Sequence, residues 1–207
     1  VPAGVLMLDI DPVTFDRAYN RVANGALWFV AHLLHDLSRA PSFDERWRRE
    51  WASYTAYDGA FASALAERAG PGEAVLVQDY HLSLTPRQLR EQRPDLRIGH
   101  FSHTPWAPPE VFSILPDEIV HDVLTGLLGA DAVAFLSPRW SAAFTRCCVE
   151  LLGGASGLAT HRWDCCANLP ADAGQQINIA CTPWGPPVPP AMKRRALPAS
   201  LPSLQAV

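Results

Sequence analysis

Between Ala74 and Leu152 the sequence alternates between short apolar runs and longer amphipathic stretches. Ala74–Val77, Leu96–Phe101 and Asp131–Phe135 read as strands. Thr85–Gln92, Pro116–Leu128 and Pro138–Leu152 read as helices, the first with Pro86 near its first turn. Strands apolar on both faces and separated by helices admit few architectures. They need crossover connections, and the crossing helices must cover both faces of a parallel sheet. The pattern predicts a doubly wound α/β protein.

The flanks are less regular. Val5–Leu8 reads as a strand ending in "DIDP", with Asp11-Pro12 opening a helix. Thr14–Leu37 is helical around "ALWFVAHLL" and broken by Arg39–Ser42. Phe43–Ala69 is a second helix, stopped by Gly70-Pro71-Gly72. After Gly153, "GLATHRW" and "INIACTPWG" read as further strands, and from Pro186 the chain is proline-rich and aperiodic, an irregular tail. The 207 residues, 48% hydrophobic and 18% charged, suffice for one domain or one lobe of a larger enzyme.

A net charge of −4 gives no basic face for nucleic acid. No apolar run approaches the roughly 20 residues that span a bilayer. The front of the chain has neither an initiator Met nor a secretory signal, so a cytoplasmic protein, cut at its N-terminus, is expected. The five cysteines, Cys147, Cys148, Cys165, Cys166 and Cys181, have no C-x-x-C spacing and read as reduced thiols. Zinc held by His161 with Cys165 and Cys166 is a weaker alternative.

In open parallel sheets, ligands bind beyond the carboxyl ends of the strands. Three such ends carry polar residues: Asp79, Tyr80 and His81 in "VLVQDYH", His103 and Thr104 in "IGHFSHTPW", and Ser137 in "AVAFLSPRW". If their strands are neighbours, Asp79 and His103 face one crevice. Plainer readings stand beside this one. Asp79 suits a helix cap, His103 a loop residue, Trp106 a packing plug and His100 a structural role. No G-x-G-x-x-G, Walker, H-E-x-x-H or G-x-S-x-G motif occurs. Composition and spacing therefore predict a small-molecule crevice without naming its ligand.

The same residues carry a resemblance. "VLVQDYHLSLTPRQLREQRPDLRIGHFSHTPWAPPEVFSILP" resembles the core of the retaining trehalose-6-phosphate synthases. In that family a strand ends in D-Y-H-L, the next ends in F-x-H-x-P-[FW], and P-x-E-x-F-x-x-L-P follows. "LLGADAVAFLSPRWSAAFTRCC" resembles the segment after that. "YNRVANGALWF" resembles the upstream Y-N-x-x-x-N-x-x-L-W-P, with Phe29 in place of the usual proline. The likeness runs from about Val5 to Gly153.

The resemblance implies a Rossmann-like parallel sheet flanked by helices, one lobe of a GT-B glycosyltransferase. It implies transfer of glucose from UDP- or GDP-glucose to glucose 6-phosphate with retention, without cofactor or metal. Tyr19 and Trp28 match the residues lining the acceptor's sugar and phosphate pocket. Asp79 matches the aspartate that binds the acceptor hydroxyls, and His103 the histidine at the donor glucose and the reacting centre. Asp79 and His103 are thus the expected catalytic pair. Residues 1–185 would form the acceptor-side domain, incomplete at its front, with 186–207 as tail and the nucleotide-sugar domain lacking. Related acceptors remain open, as in glucosylglycerol-phosphate synthases or cyclitol-coupling pseudo-glycosyltransferases. So does an inactive binding module or regulatory remnant. A surface shaped for a second domain would leave an apolar patch and favour a homo-oligomer.

One geometric condition follows. Tyr19 and Trp28 are nine residues apart. At about 100° per residue they lie half a turn out of phase on a regular α-helix. To face one pocket they require a bend or break, expected at Asn24-Gly25.

Overall fold

The computed structural model describes residues 4–35, 42–153, 166–170 and 176–181. Asp11 opens the first helix as expected: its Oδ2 accepts the Thr14 backbone N–H at 2.8 Å, and Pro12 occupies the first turn of α1 (Pro12–Phe15). A π-helical segment, Asp16–Leu27, continues it and runs into α2 (Trp28–Ala31). The helical stretch thus ends before the expected Leu37, at a turn where Leu33 adopts φ 62°. The strand expected at Val5–Leu8 does not form. Val5 and Met7 are 89% and 83% exposed, and no described strand pairs with this segment to take up its backbone groups.

Helix α3 (Glu45–Arg68) is capped by Asp44, which accepts the Trp47 N–H at 2.9 Å. Trp47, Trp51, Tyr54 and Tyr57 recur at helical spacing and bury one face; Trp51 and Tyr54 stack at 4.9 Å between centroids. Gly70-Pro71-Gly72 ends the helix, with Gly72 at φ 65°.

The alternation beyond it emerges nearly as read: β1 (Ala74–Gln78), α4 (Thr85–Gln92), β2 (Arg97–Ser102), the short α5 (Pro109–Phe112), α6 (Asp117–Leu127), β3 (Ala132–Phe135) and α7 (Pro138–Leu151). β4 (Cys166–Pro170) and β5 (Gln176–Cys181) complete a sheet of order β1-β2-β3-β5-β4. It is parallel except for β4, which runs antiparallel to β5. The "INIAC" strand is therefore present. "GLATHRW", the His161 and Cys165 of the zinc alternative and the proline-rich tail lie outside the described residues.

Ile98, Val133 and Phe135 of the sheet pack with Leu89, Leu124, Leu127 and Phe144 of the flanking helices. One strand departs from expectation. β1 is an edge strand, so Val77 is buried but Leu76 is 62% exposed. Among the described residues no helix is long and apolar enough to cross a membrane.

Candidate active site

β1 and β2 are parallel neighbours with Gln78 opposite Phe101, so their carboxyl ends lie side by side. Asp79, the first residue past β1, has φ 69° and ψ 171°. That region is essentially reserved for glycine and costs any other residue about 1–3 kcal/mol. The backbone N–H, the carbonyl and one carboxylate oxygen of Asp79 are all engaged there. Its N–H donates to the Phe101 carbonyl at 2.8 Å. Its carbonyl accepts from the Leu82 N–H at 3.1 Å and from His100 Nε2 at 3.2 Å. Its Oδ1 accepts from the His103 N–H at 3.2 Å and the Thr104 hydroxyl at 3.4 Å. The cap reading is thus not realised: Asp79 precedes the 3₁₀ turn Tyr80–Leu82 without a side-chain cap bond. Its carboxylate reaches across to the neighbouring strand end instead.

That contact joins the two residues predicted from opposite strands. His103 is exposed, with its Nε2–H on Gln78 Oε1 at 2.8 Å and its ring edge-on to Phe101. His100 points to the other face of β2 and is buried. Burial pushes its pKa down to about 4, so it stays neutral and serves as the donor to the Asp79 carbonyl. Its structural reading therefore stands, with a direct bearing on Asp79.

The segment from Tyr19 to Trp28 shows no break. In the π-helical segment hydrogen bonds run from i to i−5, as from the Trp28 N–H to the Ala23 carbonyl. With roughly 4.4 residues per turn, nine residues make about two whole turns. In place of the expected break at Asn24-Gly25 stands a wider helix, whose repeat would put residues nine apart nearly in phase.

Tyr19 stacks on His81 at 4.5 Å, and Asn24 Oδ1 on the same segment accepts from the Tyr80 hydroxyl at 2.6 Å and from His81 Nε2 at 3.2 Å. The segment is thereby pinned to the loop beside Asp79. Burial lowers the His81 pKa, with Asp79 opposing, and raises that of Tyr80 to about 12. Trp28 lies further along, its ring stacked on His32 at 4.1 Å and edge-on to Phe29. No described contact joins it to the Asp79–His103 pair.

Other candidates resolve as packing. Trp106 stacks on Phe112 at 5.0 Å and meets Phe135 and Phe144 edge-on, with its Nε1–H on the Cys147 sulfur. Ser137 caps α7 by accepting the Trp140 N–H. Cys147 and Cys148 are free and buried, and burial pushes both thiols up, Cys147 to about 12. Gln78 was not singled out by sequence, its only signal being adjacency to Asp79, and Asn24 was read as a helix break although it closes the Y-N-x-x-x-N pattern.

A separate cleft of about 250 Å³ lies between the π-helical segment and the start of α3, lined by Arg21, Arg46, Trp47 and Glu50 among others. It includes none of Tyr19, Trp28, Asp79 and His103, and both its guanidinium groups already face Glu50. The paired strand ends at Asp79 and His103 carry the groups expected from sequence. They offer a carboxylate and an imidazole, with Tyr19 stacked on the neighbouring loop, groups that can hydrogen-bond and pack a sugar.

A trehalose-6-phosphate synthase of Mycobacterium sp. (strain KMS) is 39% identical over 142 residues, which are 69% of this chain and 27% of the relative. The chain therefore spans about a quarter of the length of such relatives. The N-terminal domain of Candida albicans trehalose-6-phosphate phosphatase superposes with a TM-score of 0.69 at 27% identity, over 87% of this chain and 34% of that one. An α,α-trehalose-phosphate synthase (UDP-forming) from Burkholderia xenovorans, solved in complex with glucose-6-phosphate, has the same fold. Its TM-score is 0.69 at 22% identity, over 84% of this chain and 35% of that one. The model of glycosyltransferase family 20 matches residues 5–186. This chain, a Rossmann-like α/β lobe of the GT-B kind, belongs to glycosyltransferase family 20.

Proposed function

We propose that this chain is the acceptor side of a trehalose-6-phosphate synthase, which transfers glucose with retention from UDP- or GDP-glucose to glucose 6-phosphate. The observation that carries the reading is the joining of Asp79 to the His103 backbone, with Asp79 held in a strained conformation. Family membership and the glucose-6-phosphate in the Burkholderia xenovorans relative support it. In this reading Asp79 accepts hydrogen bonds from acceptor hydroxyls, and Tyr19 and Trp28 wall the acceptor pocket. His103 hydrogen-bonds the donor glucose, where a neutral imidazole stabilises developing positive charge on the sugar without adding a cation. The leaving phosphate takes the acceptor's proton on the face it departs from. Retention then needs no protein nucleophile and no second carboxylate. A cytoplasmic setting belongs to the reading, supported by the free buried thiols Cys147 and Cys148. So does self-association, supported by Leu76 exposed on edge strand β1.

Calorimetric titration tests the proposal. Glucose 6-phosphate should bind, glucose should bind more weakly, and Asp79→Ala should lose affinity by about a hundredfold. Equal affinity of wild type and Asp79→Ala would sink it. A second reading, a non-catalytic module, is favoured by the Candida albicans likeness, since there the fold forms the N-terminal domain of a phosphatase. It predicts acceptor binding without trehalose 6-phosphate formation when donor and acceptor are supplied to the full-length protein.

A further inference from the structure

Residues 80–85 follow the strained Asp79 and draw much of their hydrogen bonding from a helix elsewhere in the sequence. Tyr54 and Asp58 sit one turn apart on α3, and both are 0% exposed. The Tyr54 hydroxyl donates to the Tyr80 carbonyl at 2.6 Å and accepts from the Ser83 N–H at 3.1 Å, so one oxygen closes the turn. Asp58 Oδ1 accepts from the Leu84 and Thr85 N–H groups, each at 2.7 Å, and from the Thr85 hydroxyl at 3.0 Å. The N-cap residue of α4 is Leu84, which has no capping side chain, so Asp58 supplies the cap from another helix. On the opposite side α6 presses against the same backbone. A Cβ on Gly126 would lie 2.5 Å from the Ser83 carbonyl oxygen, and one on Gly129 would overlap the Arg87 backbone.

We propose that Tyr54 and Asp58 are positioning residues for Asp79: by closing the 80–85 turn they keep Asp79 in its positive-φ conformation and its carboxylate against His103. Neither touches the crevice, so they act only through the loop. A strained residue persists where both flanks are over-determined. The β1–β2 ladder and His100 hold one flank, and the Tyr54–Asp58 pair holds the other. Asp58 is suited to this as a neutral acid. Its Oδ2 has no partner, and burial raises its pKa to about 8, so below that pH the side chain is an uncharged acceptor, as an amide would be.

The inference rests on the acceptor reading above for its effect on binding, and its test separates the two. In the full chain, Tyr54→Phe and Asp58→Ala should weaken glucose 6-phosphate binding by about tenfold or more, measured below the melting temperature on folded protein. Asp58→Asn, which keeps the Oδ1 acceptor, should restore wild-type affinity at pH 7. A merely structural role would lower the melting temperature of the first two variants and leave the affinity of the folded fraction unchanged, which overturns the proposal. Should Tyr54→Phe not fold, the Asp58 pair decides alone.

Amide hydrogen exchange at His103, whose N–H donates to Asp79 Oδ1, supplies a ligand-free readout. Exchange accelerated about tenfold or more in Asp58→Ala and restored in Asp58→Asn supports the proposal. Equal rates overturn it. If wild type takes up no glucose 6-phosphate, the acceptor reading fails while this exchange comparison still judges the positioning.

Discussion

Asp79 joins two demands on one residue. Its carboxylate bridges two strand ends, and its backbone occupies a region that only glycine enters freely. Substitutions there should invert the usual ranking. Asp79→Gly should be more stable than Asp79→Ala by about 1 kcal/mol, because alanine keeps the Cβ clash and loses the hydrogen bonds. Denaturant melts of the two variants check this, and both should lose acceptor binding. Much of this residue's chemistry was readable: "DYHL" after an apolar run announced a carboxylate at a strand end. Its strain was not, since φ depends on the His100, Phe101 and Leu82 partners that only the folded sheet assembles. Trp106 was equally legible as a plug, because a tryptophan between prolines next to "VFSIL" has an apolar bed at hand.

At the level of elements, the alternation between 74 and 152 was legible because each strand and helix there carries its own stop signals. Thr85–Gln92 appears with the boundaries read from sequence. The π-helical segment was not legible. An apolar pattern read at 3.6 residues per turn can only predict a kink when two residues fall out of phase, whereas a wider helix brings them back into phase. Ala18, Val22, Ala23, Ala26 and Leu27, the buried residues of the segment, show the same wider spacing. Deleting Gly25 should let the segment relax toward α-helix and rotate Trp28 away from Tyr19. The expected outcome is an unchanged far-UV circular dichroism spectrum with glucose 6-phosphate affinity down by about tenfold or more. An unaltered affinity would mean that the shared face has no bearing on the acceptor. Val5–Leu8 failed as a strand for a different reason. An apolar run proposes a strand, but only a neighbour with matching register makes one.

At the scale of the whole molecule, two buried groups among the described residues set opposing pH dependences. Asp58 titrates at about 8 when folded against a usual 3.8, so the native state holds an extra proton between those values and stability falls as pH rises through that window. His100 titrates at about 4 against 6.5, so the unfolded state binds more protons there and stability rises with pH. Partly buried His81, also lowered, adds to the second slope. Between about pH 4 and 6.5 the slopes oppose; from about 6.5 to 8, of these groups, that of Asp58 remains, at most about 1.4 kcal/mol per pH unit. The melting temperature should therefore decline from pH 6.5 to 8 in wild type. In Asp58→Asn that decline should vanish and a rise from pH 4 to 6.5 should emerge. Nothing in the sequence around Asp58 marked it, because an aspartate in a long amphipathic helix reads as surface until a second helix end arrives to use it.

The cap that Asp58 provides also orders events in time. Helix α4 has eight residues, too few to persist alone in water. Its cap comes from a residue 27 positions before Thr85 in the chain, so it gains that support only once α3 has docked. A nascent or refolding chain must therefore dock α3 against the start of α4 before the turn at the end of β1 can close, and the strand ends at Asp79 and His103 mature last.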